Sequence, residues 1–415
     1  MAIRIISAMK SNFINHIFTF NFVLFFVGFD LITSICSIFI PDIASVSQSV
    51  TIPYRAFSLG VALVVIFFTF RKKIDYNLGV SLLFIYLTLI TIRLFYDFEI
   101  RTDIFVDSEK KVQIWMLFVQ MIITTIAISG SYRNIDLSKS FKWIYFCYSI
   151  IIIVNYFTVK EFSYYANDVE QQVSIGVRNS IDTGYSAANY LLFSIFLFKS
   201  KDFPKKIKII SLPVLFCAII ILLRAGSRGP LLAVLIGLVS ILALQKKNYL
   251  ITLFISTVLI LGFFFLFDEI LELISKISPV MTFRIQSYLK EGEPLRIGFF
   301  MEGINGFINY PFTGSQALLY RSSGLPTSPH QLILEAFMST GFIGGLCLIG
   351  VIYLVIKSAI FNLHNFVSNY WIELIILAYL TRAFTAGTIL AGDYSIIFAY
   401  FLLARNRKSL FQVID

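Results

Sequence analysis

Residues 207–223 read IKIISLPVLFCAIIILL and residues 230–244 read PLLAVLIGLVSILAL, with only RAGSRG between them at 224–229. Each apolar run has roughly the length, about 17 to 25 residues, at which a helix crosses the hydrocarbon core of a bilayer. Comparable apolar runs recur along the rest of the chain. The sequence therefore predicts an all-α, polytopic membrane protein.

The composition excludes the other common classes of protein. Of the 415 residues, 58% are hydrophobic and only 14% are charged, whereas soluble domains carry about 25% charged residues. The four cysteines all fall inside apolar runs and have no paired spacing, so neither a disulfide framework nor a zinc site is expected. A water-soluble enzyme and a disordered chain are both excluded.

We predict about twelve transmembrane helices and one large extracytoplasmic loop that contains short amphipathic helices. The first nine helices are assigned to residues 1–267, the loop with substrate-binding elements to 268–329, and the last three helices with a cytoplasmic tail to 330–415. The expected spans are 17–40, 54–70, 78–95, 112–129, 141–159, 184–198, 207–223, 230–244, 249–267, 330–356, 369–387 and 393–404.

The basic residues indicate the orientation, because cytoplasmic loops of membrane proteins are enriched in Lys and Arg. One set of loops and the tail hold Arg71, Lys72, Lys73, Arg133, Lys139, Lys142, Lys199, Lys201, Lys205, Lys206, Lys208, Lys246, Lys247, Lys357, Arg405, Arg407 and Lys408. We expect this side, with both termini, to be cytoplasmic. The net charge of +10 then reflects topology, and no nucleic-acid partner is expected.

The short turn 224–230 is the first candidate site on the outer side. Ser227 can cap the following helix and Pro230 suits its first turn, so a purely structural role explains these two residues. It does not explain Arg224 and Arg228, because positive charge is disfavoured in an outer turn. A helix N-terminus beside an arginine forms an anion-binding site, which is the functional alternative.

The long outer loop contains the second candidate, Arg296. Downstream of it, apolar residues recur at helical spacing and predict an amphipathic helix that lies on the membrane and ends before Pro311. These residues are Ile297, Phe300, Ile304, Phe307 and Ile308. Arg296 at the start of this helix is either a second anion ligand or only a charge at the membrane surface.

The third candidate is His330, at the outer mouth of the tenth predicted span. His16 and His364 fall on the cytoplasmic side, so His330 is the outer side chain best suited to accept a proton near neutral pH. A structural role at the helix start is the alternative. Glu335 follows about one turn deeper and could orient the histidine, while Asp393 at the mouth of the last span is a further acidic candidate.

Two carboxylate pairs in the outer segments have the spacing of metal ligands. They are Asp97 with Glu99 and Asp168 with Glu170. Such pairs arise by chance in acidic loops, and no phosphate-binding glycine loop or nucleophile elbow accompanies them. We therefore expect neither a metal nor another cofactor.

The order of these motifs resembles the O-antigen polymerase/ligase superfamily, which includes Wzy-type polymerases and WaaL-type ligases. The resemblance rests on Ser227-Arg228-Gly229, on Arg296 followed by Tyr310-Pro-Phe-Thr-Gly314, and on Pro329-His-Gln331 leading into Leu334-Glu335 and Gly341-x-x-Gly344. One departure is Gln331, because many members have His-Asn where this chain has His-Gln. Another is the spacing from Arg296 to Gly306, which is one residue shorter than polymerases often show.

The resemblance implies roles for single residues. Arg228 and Arg296, with Arg224 beside them, would bind the undecaprenyl diphosphate of a lipid-linked donor. His330 would act on the acceptor hydroxyl. Ser227 and Gln331 would support these groups, as would Glu335 and, in a looser correspondence, Asp393.

The resemblance also implies a function. The protein would join undecaprenyl-diphosphate-linked oligosaccharide repeat units at the periplasmic face of a bacterial inner membrane, by metal-independent, inverting glycosyl transfer. An O-antigen ligase that transfers the glycan to lipid A core is the alternative, and a flippase for the same lipid is the alternative from another class. Membrane lipids, a chain-length regulator and a flippase of the same pathway are the implied partners.

Overall fold

The structure is a computed structural model, which describes most of the chain. The described residues are 2–39, 47–69, 78–101, 108–158, 180–225, 227–245, 272, 276, 294–320, 326–327, 329, 331–364 and 369–385. Long helices dominate this part of the chain, in keeping with the sequence. Two antiparallel strands of two residues each, β1 (Leu319–Tyr320) and β2 (Pro326–Thr327), are an addition that the sequence did not predict.

The helices in chain order have the following bounds. They are α1 (Ala2–Val23), a π-helical turn (Leu24–Gly28), α2 (Phe29–Phe39), α3 (Ser47–Thr69), α4 (Leu78–Phe95) with a π-helical extension (Tyr96–Ile100), α5 (Ser108–Ser131), a 3-10 turn (Tyr132–Asn134), α6 (Leu137–Thr158), α7 (Ser180–Lys199), α8 (Lys205–Arg224), α9 (Arg228–Gln245), α10 (Pro294–Asn309), α11 (Leu332–His364) and α12 (Trp371–Thr385).

Seven of the described helical stretches are long and apolar enough to cross a membrane. They are Phe13–Phe39, Val50–Thr69, Leu78–Ile100, Lys111–Asn134, Leu137–Thr158, Lys205–Arg224 and Leu332–His364, and Gly229–Leu242 is a shorter apolar helix. The predicted spans fall on described helices, apart from 249–267 and 393–404, which lie outside the described residues. The total of twelve stays a prediction.

Some helix boundaries differ clearly from the predicted spans. Helix α1 begins at Ala2 and α3 at Ser47, before the predicted residues 17 and 54, and the end of α11 differs as well. The tenth span was expected to end at residue 356, before Lys357, but α11 continues to His364. The continuation is explained by burial, since Ala359 and Leu363 on the extra turns are 0% and 1% exposed. Packing of these apolar side chains therefore overrides the single charge as a helix-end signal.

The chain divides into two compact units. The first unit comprises residues 1–61, 134–292 and 360–378. Its core is aromatic: the fully buried indole of Trp371 lies 5.7 Å from the Phe141 and Phe193 ring centroids and 5.9 Å from that of Phe26. Tilted and edge-on packing of this kind is favourable for aromatic rings, and it joins α12 to α6, α7 and the π-helical turn after α1.

The second unit comprises residues 62–133, 293–359 and 379–415. Its central feature is a close approach between the loop after α10 and a break in α11. The break is at Gly341, whose φ of 67° and ψ of −161° are not helical, and the loop contains Gly314 at φ 74°. A Cβ atom at Gly341 would collide with the carbonyl oxygen of Phe312, and one at Gly314 with that of Ser339.

Two backbone hydrogen bonds hold this crossing. The Phe342 N–H donates to the Pro311 carbonyl oxygen at 2.7 Å, and the Ser315 N–H donates to the Met338 carbonyl oxygen at 2.7 Å. The break in α11 thus frees backbone groups that the loop satisfies, which a buried helix interruption requires. The motif Tyr310-Pro-Phe-Thr-Gly314 is therefore fixed against the motif that begins at Gly341.

We predict that Gly341→Ala destabilises the protein by roughly 2 kcal/mol or more, because its backbone conformation is essentially restricted to glycine and costs about 1–3 kcal/mol for other residues. Thermal unfolding of the purified protein in detergent measures the change. The matched control is Gly60→Ala in α3, where an added Cβ meets nothing within 4 Å. Equal melting temperatures for the two variants would contradict the proposed crossing.

Candidate functional site

The arginine turn of the first unit is built by the end of α8 and the start of α9. Helix α8 ends at Arg224 and α9 begins at Arg228, with Ser227 immediately before it. Pro230 is the third residue of α9, within its first turn. Backbone N–H groups in the first turn have no acceptor within the helix, so proline, which lacks an N–H, costs no hydrogen bond there. The helix start that the sequence predicts here is confirmed.

Helix α7 fixes the position of this turn. A Cβ atom at Gly184 would lie 2.8 Å from Cγ of Pro230 and 3.1 Å from Cβ of Ala225, so only glycine permits this approach. Two residues further along α7, the Ser186 hydroxyl donates to Asp30 Oδ2 at 3.0 Å. The turn therefore packs directly against helix α7.

Of the two arginines in this turn, Arg224 is the one whose side chain the structure describes. It is half-buried, and its guanidinium makes no hydrogen bond or ion pair within the described part of the chain. A half-buried guanidinium without a protein partner retains its five donors for an anion. Arg228 supplies the first residue of α9, while its side chain lies outside the described residues.

Helix α10 of the second unit contains Arg296 in its first turn. Pro294 is its first residue, a position that suits proline, and the helix ends at Asn309, before Pro311 as the sequence predicts. The side chain of Arg296 lies outside the described residues. Several of the apolar residues expected on the outer face of α10 are exposed, among them Ile297, Phe300 and Ile308. Its orientation on a membrane surface stays a prediction.

Two glycines let α10 lie directly on the start of α11. A Cβ atom at Gly303 would lie 3.1 Å from Leu334 Cδ2 and 3.2 Å from Pro329 Cγ, and one at Gly306 would lie 3.2 Å from Met338 Cγ. Glycines three residues apart share one face of a helix, so this face is smooth and α11 approaches closely. The helix that contains Arg296 is consequently packed against the residue that precedes His330.

The start of α11 is capped by Gln331. Its side-chain oxygen accepts a hydrogen bond from the Leu334 N–H, and its carbonyl oxygen accepts one from the Glu335 N–H at 2.9 Å. The side-chain bond is the N-cap interaction that Asn, Asp, Ser and Thr usually make. His330 itself lies outside the described residues, and so does Asp393.

Glu335 is fully buried in the first turn of α11. It interacts electrostatically with the buried Tyr86 of α4, so α4 and α11 are neighbours at this depth. The sequence placed Glu335 about one turn below the histidine position, either to orient His330 or to line a polar cavity. Its complete burial removes its carboxylate from contact with solvent.

A charged cluster at the end of α4 was missed by the sequence reasoning, which treated Asp97 and Glu99 only as a chance carboxylate pair. Asp97 is 1% exposed, and its Oδ1 lies 2.9 Å from the Arg93 guanidinium and 3.7 Å from that of Arg101. In the described part of the chain, no three His, Cys, Asp or Glu side chains come together as metal ligands.

This cluster binds the backbone of the loop after α10. Arg93 donates to the carbonyl oxygens of Gly314, at 3.1 Å, and Ser315, while Arg101 donates to the Ser315 carbonyl oxygen at 2.9 Å. Asp97 Oδ2 accepts a hydrogen bond of 2.6 Å from the Ala317 N–H. The Arg-x3-Asp-x3-Arg spacing at the end of an apolar helix was the available signal, because charges at membrane depth are rarely without a role.

Within the second unit, these contacts join one charged cluster, the Gly314 loop, α10 and the start of α11. The predicted residues that the unit brings onto adjoining elements are Arg296, Gln331 and Glu335. The first unit separately brings Arg224 and Ser227 to the start of α9. Chemically, the first unit offers the Arg224 guanidinium as an anion ligand. The second unit, taken by itself, offers a backbone held by hydrogen bonds beside the helix start that follows His330.

A comparison with known protein families finds a match over a segment that includes the arginine turn, α10 and the start of α11. Residues 213–349 match a family model described as Wzy_C, O-antigen ligase. No curated protein matches the chain. The family match confirms the resemblance to the O-antigen polymerase/ligase superfamily and supports a function of the polymerase or ligase type in the O-antigen pathway. Together with the apolar helices, it indicates an integral protein of the inner membrane.

We predict that Gln331→Ala destabilises the start of α11 by about 1 kcal/mol, because it removes the acceptor of the Leu334 N–H. Gln331→Asn, with a better N-cap residue, should keep the cap. Amide hydrogen exchange at Leu334 measures the difference between the two variants. Equal protection in Gln331→Ala and the wild-type protein would show that the cap contributes nothing.

Proposed function

We propose that this membrane protein, which over residues 213–349 is a relative of the O-antigen ligases, is a polymerase of lipid-linked oligosaccharide repeat units. The observation that supports the proposal most directly is the packing of α10 onto the start of α11 through Gly303 and Gly306. It brings the helix that contains Arg296 next to the residues that flank His330. The matched segment contains these elements and the arginine turn.

The donor is an oligosaccharide linked to undecaprenyl diphosphate. Breaking the sugar–diphosphate bond develops negative charge on the leaving diphosphate, and preorganised cations lower the barrier when they bind this charge. The proposed ligands of the diphosphate are Arg228, Arg296 and Arg224. The Arg224 guanidinium, which has no partner within the described part of the chain, and the N-terminus of α9 support this role.

The acceptor is the terminal sugar of a second lipid-linked repeat. His330 removes the proton from the attacking hydroxyl as a general base, which is a role suited to an imidazole near neutral pH. The hydroxyl then displaces the diphosphate directly, so the anomeric configuration is inverted and no covalent enzyme intermediate forms. Gln331 caps the start of α11, and Glu335 is a buried supporting residue in its first turn.

Both termini are cytoplasmic and the reaction takes place on the periplasmic side of the inner membrane. The distribution of Lys and Arg over the predicted loops supports this orientation. Asp393, near the outer mouth of the last predicted span, adds an acidic group on the same side. A chain-length regulator and a flippase of the same pathway are the expected partners, in addition to membrane lipids.

An O-antigen ligase is the second candidate function, because the matched family is described by that activity. A ligase would use the same donor and the same basic groups with lipid A core as the acceptor. The motifs Ser227-Arg-Gly-Pro230 and Pro329-His-Gln331 favour the polymerase. A flippase is the candidate from another class, and the placement of the candidate arginines and His330 on one predicted side of the membrane argues against it.

The test is to incubate the purified protein with an undecaprenyl-diphosphate-linked repeat unit and to resolve the products by gel electrophoresis. A polymerase produces a ladder of longer glycans from this substrate alone. A product that requires added lipid A core would identify a ligase. Lipid translocation in proteoliposomes, without any longer glycan, would identify a flippase and contradict an enzymatic role.

We predict that His330→Ala lowers the polymerisation rate about 10²–10⁴-fold, the usual contribution of a general base, and that Arg296→Ala lowers it about 10²–10³-fold. The matched controls are His364→Ala and Arg133→Ala, which alter exposed residues on the predicted cytoplasmic side and should retain full activity. Full activity of either site variant would remove that residue from the mechanism.

We also predict that the reaction needs no divalent metal, because the arginines neutralise the charge of the leaving group. The polymerisation rate should be unchanged after dialysis against EDTA and unchanged again when Mg²⁺ or Mn²⁺ is restored. A rate that falls with EDTA and recovers with one of these ions would contradict the metal-independent mechanism.

A further inference from the structure

The cluster Arg93, Asp97 and Arg101 is the feature of the second unit that the proposed chemistry does not use. Arg93 is in α4, Asp97 in its π-helical extension and Arg101 directly after it, and both guanidinium groups lie within 4 Å of the Asp97 carboxylate. The side chains of Arg93 and Asp97 are 11% and 0% exposed, and that of Arg101 is 23% exposed. This is a buried charged cluster in a chain with very few charges.

Fold stability alone does not account for such a cluster. Removing charges from water is costly, and buried ion pairs are often replaced by apolar side chains with little loss of stability. A charged cluster fixes the orientation of the groups it binds, because guanidinium and carboxylate groups restrict the angles of their hydrogen bonds. Apolar packing does not impose such angles. Here the side-chain hydrogen bonds of Arg93, Asp97 and Arg101 that the structure describes go to one backbone segment, residues 314–317.

The π-helical extension contributes to this geometry. Residues Tyr96–Ile100 follow α4 without an α-helical register, and Arg101 comes directly after them. π-Helical turns are rare and often occur at functional sites, because they rotate the residues that follow them. Arg101 is thereby directed to the same carbonyl oxygen, that of Ser315, to which Arg93 also donates.

Ser315 is the point at which the cluster, α10 and α11 meet. Its N–H donates to the Met338 carbonyl oxygen of α11, and its carbonyl oxygen accepts from both arginines. A Cβ atom at Gly306 of α10 would lie 2.5 Å from its hydroxyl oxygen. A displacement of Ser315 would therefore shift α10 relative to α11, and with α10 the backbone that contains Arg296.

We propose that Arg93, Asp97 and Arg101 are positioning residues of the glycosyl transfer, which act through Ser315 to hold Arg296 at the distance and angle required by the donor diphosphate. This inference rests on the proposed function of Arg296. The cluster itself touches no substrate. Its effect is on the reaction rate, since a shift of about 1 Å in a positioned group can lower a rate by roughly 10²-fold.

A double-mutant cycle between the cluster and Arg296 tests the proposal. Arg93→Lys keeps the charge, but a single ammonium group lacks the planar fork that reaches Gly314, Ser315 and Asp97 together. We expect Arg93→Lys to lower kcat/KM for the lipid-linked donor about 10–100-fold in the wild-type background. In the Arg296→Ala background the same change should lower kcat/KM less than about threefold, because the group it positions is already absent.

Two further measurements distinguish positioning from a general loss of folding. The melting temperature in detergent should be nearly the same for Arg93→Lys and the wild-type protein, and Arg133→Lys serves as the matched control for the substitution itself. Where Arg93→Lys fails to fold, Arg101→Lys at the partly exposed position enters the same cycle.

The outcomes separate this inference from the proposed function. Equal fold-changes in the two backgrounds overturn the positioning role and leave the polymerase intact. A loss of activity fully explained by a lowered melting temperature also overturns it. Full activity of Arg296→Ala overturns both the inference and the proposed role of Arg296. A loss of about 10–100-fold from Arg93→Lys in the wild-type background that shrinks to less than about threefold in the Arg296→Ala background supports the inference.

Discussion

The close approach between the backbones at Gly314 and Gly341 is the constraint on which the second unit depends. Neither position tolerates a Cβ atom, because the carbonyl oxygens of Ser339 and Phe312 already occupy that space. The crossing interrupts α11 and pairs its freed backbone groups with the loop after α10. With the loop fixed, the start of α11, the Gly303 and Gly306 face of α10 and the charged end of α4 have one compatible arrangement.

Only 14% of the residues are charged, so a buried charged side chain indicates a specific structural or functional role. Arg93 and Arg101 both lie close to Asp97, and the three side chains bind carbonyl and N–H groups of residues 314–317. Arg224 contrasts with them, because its half-buried guanidinium has no partner within the described part of the chain. The first group of charges organises protein backbone, whereas the second is available for an anionic ligand. This difference separates the supporting residues from the proposed diphosphate ligands.

The sequence predicted the helices well, because long apolar runs have a strong and local physical cause. The spans on described helices, the start of α9 near Arg228 and the end of α10 before Pro311 all follow from hydropathy, capping and proline. The continuation of α11 to His364 did not follow, since it depends on the tertiary burial of Ala359 and Leu363.

The site was only partly predictable from the sequence, because it too depends on tertiary contacts. The motifs identified which residues to consider, but not that Gly306 and Gly341 are there for backbone contacts, or that Gln331 serves as a helix cap. The cluster around Asp97 was visible in the sequence as Arg-x3-Asp-x3-Arg, yet its partners are about 220 residues away in the chain, which no local pattern reveals. The roles of His330 and Asp393 stay predictions, as these residues lie outside the described part of the chain.

The most direct test of the central claim is a cryo-electron microscopy map of the protein bound to undecaprenyl diphosphate. The account predicts density for the diphosphate at the N-terminal end of α10, in contact with the Arg296 guanidinium and within reach of His330. Diphosphate density far from α10, or on the face of the protein that bears the basic loops, would contradict it.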